Sequence, residues 1–182
     1  QDALSREKTG LGKSLVVAVG QLQQTVLSGR PYVESLATVA ALAKKNEKFT
    51  AAILTLTRTA KKGVATQRVL SDQFPSVART VMKADKKDGD GFLQRTWQRV
   101  GSLITIRRVG EVDGEETDAI LARAERRLVA GELAATIELM ESLKGPASVA
   151  AQAWLDRAKT RLRAQHALAD LQSQVIAGLA ND

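Results

Sequence analysis

Apolar residues recur along this chain at intervals of three and four, the spacing of helices that each bury one stripe. Leu15, Val16, Val19, Leu22, Val26 and Leu27 form the first run, which stops at Gly29. Pro31 opens a second through Leu36, Val39 and Leu42. Phe49, Ile53, Leu54 and Leu56 make a third, stopped by Gly63. Residues 1–12 are polar and are expected to fray, or to be the tail of an upstream coil. No alternation is long enough to demand a sheet, and the β-leaning runs at 16–19 and 104–109 read as a helix and a helix end.

The clearest pattern lies between residues 119 and 163. Asp118 is placed to cap a helix whose stripe is Ile120, Leu121, Ala124 and Leu128. Gly131 is a stop able to take the left-handed conformation. Leu133, Ile137, Leu139, Met140 and Leu143 give a second, short helix, broken at Gly145-Pro146. Pro146 suits the first turn of a long third helix running towards Ala180. Two striped helices joined by a short loop predict an antiparallel hairpin.

Between these regions lie two amphipathic stretches. The first, about 66–84, carries Val69, Leu70, Phe74, Val77, Val81 and Met82 beside Arg68, Arg79 and Lys83, with Pro75 expected to kink or restart it. The second carries Phe92, Leu93, Trp97, Val100, Leu103 and Ile104 beside Arg95, Arg99, Arg107 and Arg108. Residues 83–91 are polar and contain two glycines, so a loop is predicted there. The fold expected is all-α: a helical bundle with a helical hairpin and a long C-terminal helix, plus protruding amphipathic helices. Its segments are N-terminal helices (1–65), a basic amphipathic segment (66–108) and the hairpin with the long helix (115–182), within one compact domain.

Composition narrows the chemistry. Aromatic residues are only 3% of 182, so the core is built from Ala, Leu, Val and Ile. There is no cysteine and one histidine, His166, which removes thiolate nucleophiles, disulfides and multi-histidine metal sites. His166 reads as an ordinary helix-surface or packing residue. Gly10-Leu-Gly12-Lys13-Ser14 lacks the first glycine of a phosphate-binding loop, Glu7 standing in its place. Asp85, Asp88 and Asp90 have the wrong spacing for a calcium loop. Glu115, Glu116 and Asp118 read as partners of a helix dipole. No cofactor or metal is expected, and no enzyme activity. No apolar run approaches the roughly 20 residues of a membrane span. A start at Gln1 without a signal-like segment reads as a processed or excised fragment, with any anchor outside it.

Charge points to a partner. Residues 44–108 hold 15 Lys/Arg against 5 Asp/Glu, a net +10, while the remainder holds 12 against 15, or −3. Basic amphipathic helices carrying Trp or Phe suit a membrane interface, where the apolar face meets acyl chains and the cations meet anionic headgroups. Packing of the same stripes on the domain itself is the plain alternative.

The order of residues also resembles a known family. Leu121-Ala122-Arg123-Ala124-Glu125, Leu128, Gly131, Leu133, Leu143, Gly145, Trp154 and Arg161-Leu162 are similar to the C-terminal domain of the mitofilins. Ser28-Gly29-Arg30-Pro31-Tyr32 resembles the family's Ser-Gly-Arg-Pro-Phe turn. Leu70, Phe74-Pro75 and Ile104-Thr105-Ile106-Arg107 resemble segments of its bacterial members. Glu132 and Thr136 depart mildly from the commoner Asp and Ala. The likeness covers most of residues 15–170 and implies an inner-membrane protein that shapes cristae or their bacterial counterparts. It implies lipid-binding helices just before the hairpin. Phe74, Arg79 and Lys83 match the first, and Phe92, Arg95, Trp97, Arg99, Leu103 and Arg107 match the second approximately. Lys86, Lys87 and Arg108 complete the basic set.

The partners so implied are anionic membrane lipids and an outer-membrane β-barrel assembly protein at contact sites. A homo-oligomer, most simply a dimer, is expected through Leu162, Ala169, Val175 and Leu179 of the long helix. The domain would lie in the periplasm or intermembrane space, with its anchor in the inner membrane. The alternative is a tetratricopeptide-like adaptor that binds proteins only, although one hairpin falls short of the about three repeats a solenoid needs. Nucleic acid is not expected, for want of aromatics and of a recognised motif.

Overall fold

A computed structural model describes the backbone of residues 2–43, 47–93 and 116–180, and side chains over 10–43, 47–86 and 116–178. Its elements are α1 (Asp2–Leu27), α2 (Val33–Leu42), a 3-10 turn (Glu47–Phe49), α3 (Thr50–Thr57), α4 (Gln67–Leu93), α5 (Thr117–Val129), α6 (Leu133–Glu141) and α7 (Gly145–Ala180). The fold is all-α, with no strand among the described residues. The chain packs as two compact units, Gln1–Thr66 with Lys159–Asp182, and Gln67–Ala158. Helix α7 supplies residues to both.

In the first unit α1 buries Leu15, Ala18, Val19, Leu22 and Val26, one helical stripe, against Leu36 and Val39 of α2 and Phe49 and Leu56 around α3. Ala164, Leu168, Leu171 and Val175 of α7 complete this core. Val16 and Leu27, counted in the stripe from sequence, are exposed instead, because the buried face is narrower than the apolar run. Val175 is likewise core, so it is withdrawn from the expected dimer surface. Tyr32 fastens the turns together. Its amide donates to the Ala60 carbonyl at 2.8 Å and its hydroxyl to the Leu56 carbonyl at 2.9 Å, with the Thr59 hydroxyl beside it. Burial raises the Tyr32 pKa above the usual phenol value, against a smaller lowering effect of that Thr59 hydrogen bond. Arg161 is 4% exposed and donates from Nη1 to the Val26 carbonyl at 3.4 Å, at the end of α1. Its Nε finds no acceptor, and burial pulls its pKa below the ordinary guanidinium value.

In the second unit α5 and α6 form the predicted hairpin. Ile120, Leu121, Ala124 and Leu128 bury one face of α5, and Leu133, Ile137 and Met140 one face of α6. Gly131 ends α5 at φ +82°. The amide of Glu132 reaches the Arg127 carbonyl at 2.9 Å and that of Gly131 the Leu128 carbonyl at 3.1 Å, the two bonds of a Schellman cap. Asp118 is not the N-cap. It sits in the first turn, where its Oδ1 accepts from the Ala119 amide at 2.8 Å.

Three other expectations are corrected in whole or in part. Helix α1 begins at Asp2, which removes the fraying alternative for residues 1–12 and leaves the tail of an upstream coil, since Ala3, Leu4, Arg6, Glu7 and Lys8 are good helix formers with no proline among them. Residues 83–91 are not a loop but part of α4, which continues to Leu93. Lys83, Ala84, Lys86 and Lys87 favour helix, and each interior glycine costs about 1 kcal/mol without forbidding it. Nor does Pro75 divide α4. It lies on the exposed side, where water can serve the carbonyl its missing amide leaves free.

Candidate lipid-binding face

Helix α4 has two faces of different composition. Leu70, Phe74 and Val81 are buried, and Val77 and Met82 are half-buried beside them. The opposite side exposes Arg68, Asp72, Pro75, Ser76, Arg79, Thr80, Lys83 and Lys86, together with Val69, which the sequence pattern had put in the apolar stripe. Along it the charge is graded. Arg68 pairs with Asp72 at 3.6 Å and so leaves the first turns nearly neutral. Arg79, Lys83 and Lys86 then follow at i, i+4 and i+7, a cationic row on one side of the helix.

The buried face explains where the apolar residues went. Phe74 is 1% exposed, and its ring meets that of Trp154 edge-on, with centroids 5.3 Å apart at 73°. The Trp154 indole donates to the Leu70 carbonyl at 3.1 Å, one turn earlier on α4. Gln67 donates from Nε2 to the Leu128 carbonyl at 3.2 Å, fixing the start of α4 to the end of α5. Phe74, expected to touch lipid, is therefore a core residue: an aromatic pair buried with a satisfied indole outweighs contact with an interface. The i, i+4 spacing of Leu70 and Phe74 marks a stripe on one face of α4 but does not say what covers it.

The other expected site residues fall into three groups. Arg79, Lys83 and Lys86 are brought together on the exposed row. Lys87 and Phe92 lie on the backbone of α4, with side chains outside the described residues. Arg95, Trp97, Arg99, Leu103, Arg107 and Arg108 lie outside the described residues altogether. Of the residues expected to pair two copies, Ala169 is exposed, Leu162 is half-buried and the side chain of Leu179 is outside the description. His166 is exposed on α7. Among the described residues no helix is long and apolar enough to cross a membrane. Chemically, the row on α4 offers three cations that, among the described residues, have no carboxylate partner, an arrangement able to hold negatively charged groups.

Comparison with known proteins agrees with the pattern of residues. The model of the Mitofilin family, described as a mitochondrial inner membrane protein, matches residues 11–175. A probable magnetosome protein, Mms36, of Magnetospirillum gryphiswaldense is 31% identical over 162 residues, covering 88% of this chain and 46% of that protein. MICOS complex subunit MIC60 of Talaromyces stipitatus is 29% identical over 161 residues, covering 87% of this chain and 25% of that protein. The same subunit from Ajellomyces dermatitidis is 29% identical over 167 residues, covering 89% and 24%. The chain thus spans less than half the length of these relatives. No solved structure matches it.

Proposed function

Because this chain belongs to the mitofilin family, whose model it matches over residues 11–175, we propose that it is a non-enzymatic membrane-shaping domain which holds anionic lipid on the cationic side of α4. The observation that carries this reading is the row Arg79, Lys83 and Lys86, exposed together on a helix whose apolar side is already occupied. Each basic residue near an anionic bilayer strengthens binding roughly fivefold. Because Leu70, Phe74 and Val81 are committed to the core, this part of α4 rests on headgroups and does not wedge between them. Any shallow insertion, and with it the expansion of one leaflet, would fall to Phe92, Trp97 and Leu103.

In this reading the domain serves an inner membrane, facing the periplasm or the intermembrane space, and supports cristae or similar infoldings. Its relatives named as MICOS complex subunits support an assembly with other proteins. An outer-membrane β-barrel assembly protein and a second copy of the chain are the partners proposed. Flotation with anionic liposomes tests the lipid contact. Replacing Arg79, Lys83 and Lys86 by Glu lowers binding at least about tenfold. Unchanged flotation of that variant, with protein partners still captured, would favour the adaptor reading.

A further inference from the structure

The two folded units divide the charge unevenly. Residues 1–66 and 159–182 hold 13 Lys/Arg against 6 Asp/Glu, a net +7 equal to that of the whole chain. Residues 67–158, which include α4, hold 14 of each sign and are neutral. The cationic excess therefore belongs to the unit that lacks the α4 face, so that face does not account for it.

Four of the first unit's 13 cations lie around one pair of touching turns. Arg58, Lys61 and Lys62 follow the end of α3 and are all exposed. Arg30, also exposed, lies on the turn between α1 and α2. The two turns touch through backbone. A Cβ on Gly63 would lie 2.2 Å from the Gly29 carbonyl oxygen and 2.8 Å from that of Arg30. The Tyr32 amide, bonded to the Ala60 carbonyl at 2.8 Å, holds them in that register. Residues 28–31 and 57–66 contain no Asp or Glu, and the one acidic residue that shares a cleft with Arg30 and Val33 among the described residues is the exposed Glu34. Among the described residues none of these four cations pairs with a carboxylate; Arg30 instead donates from Nε to the Ser28 hydroxyl at 3.1 Å.

Apolar side chains close to these cations in the chain also stand exposed. Leu54, one helical turn before Arg58, is 59% exposed, while Leu27 and Val33, on either side of Arg30 and Pro31, are 39% and 46% exposed. Unpaired Lys and Arg interleaved with exposed aliphatic residues match a water–hydrocarbon boundary. A purely acidic protein segment, such as a run of glutamates, would use only the cations.

We propose that this corner is a second docking surface for an anionic bilayer, built by Arg30, Arg58, Lys61 and Lys62 with Leu27, Val33 and Leu54, and separate from the α4 row. It shares with the preceding reading only the kind of surface bound, and each fails or stands by its own variant.

The test uses the full chain with phosphatidylglycerol–phosphatidylcholine vesicles and with pure phosphatidylcholine vesicles. One variant carries Arg58→Gln, Lys61→Gln and Lys62→Gln; a second neutralises Arg79, Lys83 and Lys86; a third combines both. Leu54→Ser is a fourth that leaves the charge intact. The corner variant is expected to bind anionic vesicles about tenfold less well, in the wild-type and in the α4-neutralised background alike. Leu54→Ser is expected to weaken binding by about threefold, from the apolar area it withholds from the acyl boundary. Wild-type affinity in the corner variant, with an unchanged circular dichroism spectrum, overturns the proposal whatever the α4 variant does. So does a corner that binds a poly-glutamate peptide at concentrations where it ignores the vesicles, which would make it a protein-docking site.

Discussion

Shortening Phe74 to alanine separates packing from lipid contact on α4. The ring is 1% exposed and meets Trp154 edge-on at 5.3 Å. Removing a buried phenylalanine costs about 3–5 kcal/mol, of which the cavity left behind is part. The aromatic pairing contributes about 0.5–1.5 kcal/mol of that total. Collapse around the hole is restricted, because the Trp154 indole stays bonded to the Leu70 carbonyl at 3.1 Å. For a chain of this size the expected fall in Tm is about 2–4 °C for each kcal/mol. Urea unfolding followed by the fluorescence of Trp154, with Trp97→Phe to silence the second indole, reads the loss directly. Vesicle binding by the folded protein should stay within about twofold of wild type, since the cations that meet headgroups are untouched. The reasoning is refuted if Phe74→Ala unfolds within about 1 kcal/mol of wild type, well below the cost of a buried ring, and yet releases the vesicles.

Three further predictions concern stability. Gly63→Ala should destabilise by about 2–5 kcal/mol, because φ +72° is combined with a clash between the new Cβ and the Gly29 carbonyl; Gly131→Ala, at φ +82° with nothing within 4 Å, should lose only about 1–2 kcal/mol. In contrast Gly20→Ala, inside α1 with open space around it, should gain about 0.5–1 kcal/mol in thermal unfolding. Tyr32 has a folded pKa raised above 10.0 by burial. The unfolded chain therefore loses that proton first, and stability present below the unfolded value declines as pH rises towards and through the folded one. Tyr32→Phe should flatten this decline in chemical denaturation across the alkaline range. For Arg161, buried with one long hydrogen bond and an Nε that has no acceptor, methionine should be tolerated within about 1 kcal/mol, since the desolvation cost disappears while the stem is kept. The Val26 carbonyl would still accept from the Gly29 amide at 3.1 Å. Alanine there should cost about 2 kcal/mol or more through the cavity; equal losses in the two variants would refute this.

Breaks and stripes were legible in the sequence because they follow from local stereochemistry. Gly29, Gly63, Gly131 and Gly145, each read as a stop or break, have positive φ. Ile120, Leu121, Ala124 and Leu128 are buried as a helical period requires. What a stripe faces is not local information. Leu70 and Phe74 have the same spacing whether they meet a bilayer or Trp154, which lies 84 residues beyond Leu70. Arg161 was unreadable for a related reason, since its burial depends on the end of α1, 135 positions earlier in the chain. The length of α4 was misjudged because aspartate and glycine weaken a helix by amounts that neighbouring lysines and alanine offset. Arg79 and Lys83 could be read from helical spacing, but Lys86 joins their row only because α4 runs on through residues read as a loop, and the corner around Arg58 needed the contact between two turns.

Helix α7 reaches the first unit only with residues from Lys159 onward, and this has a consequence during synthesis. Ala164, Leu168, Leu171 and Val175 are the last pieces of a core that begins at Leu15. Roughly ninety residues separate the two parts, so at about 5–20 residues per second a ribosome leaves the greasy sides of α1, α2 and α3 uncovered for several seconds or longer. A nascent chain in that interval is a client for a holding chaperone, and losing the final two turns of α7 to a premature stop would harm the beginning of the protein more than its middle.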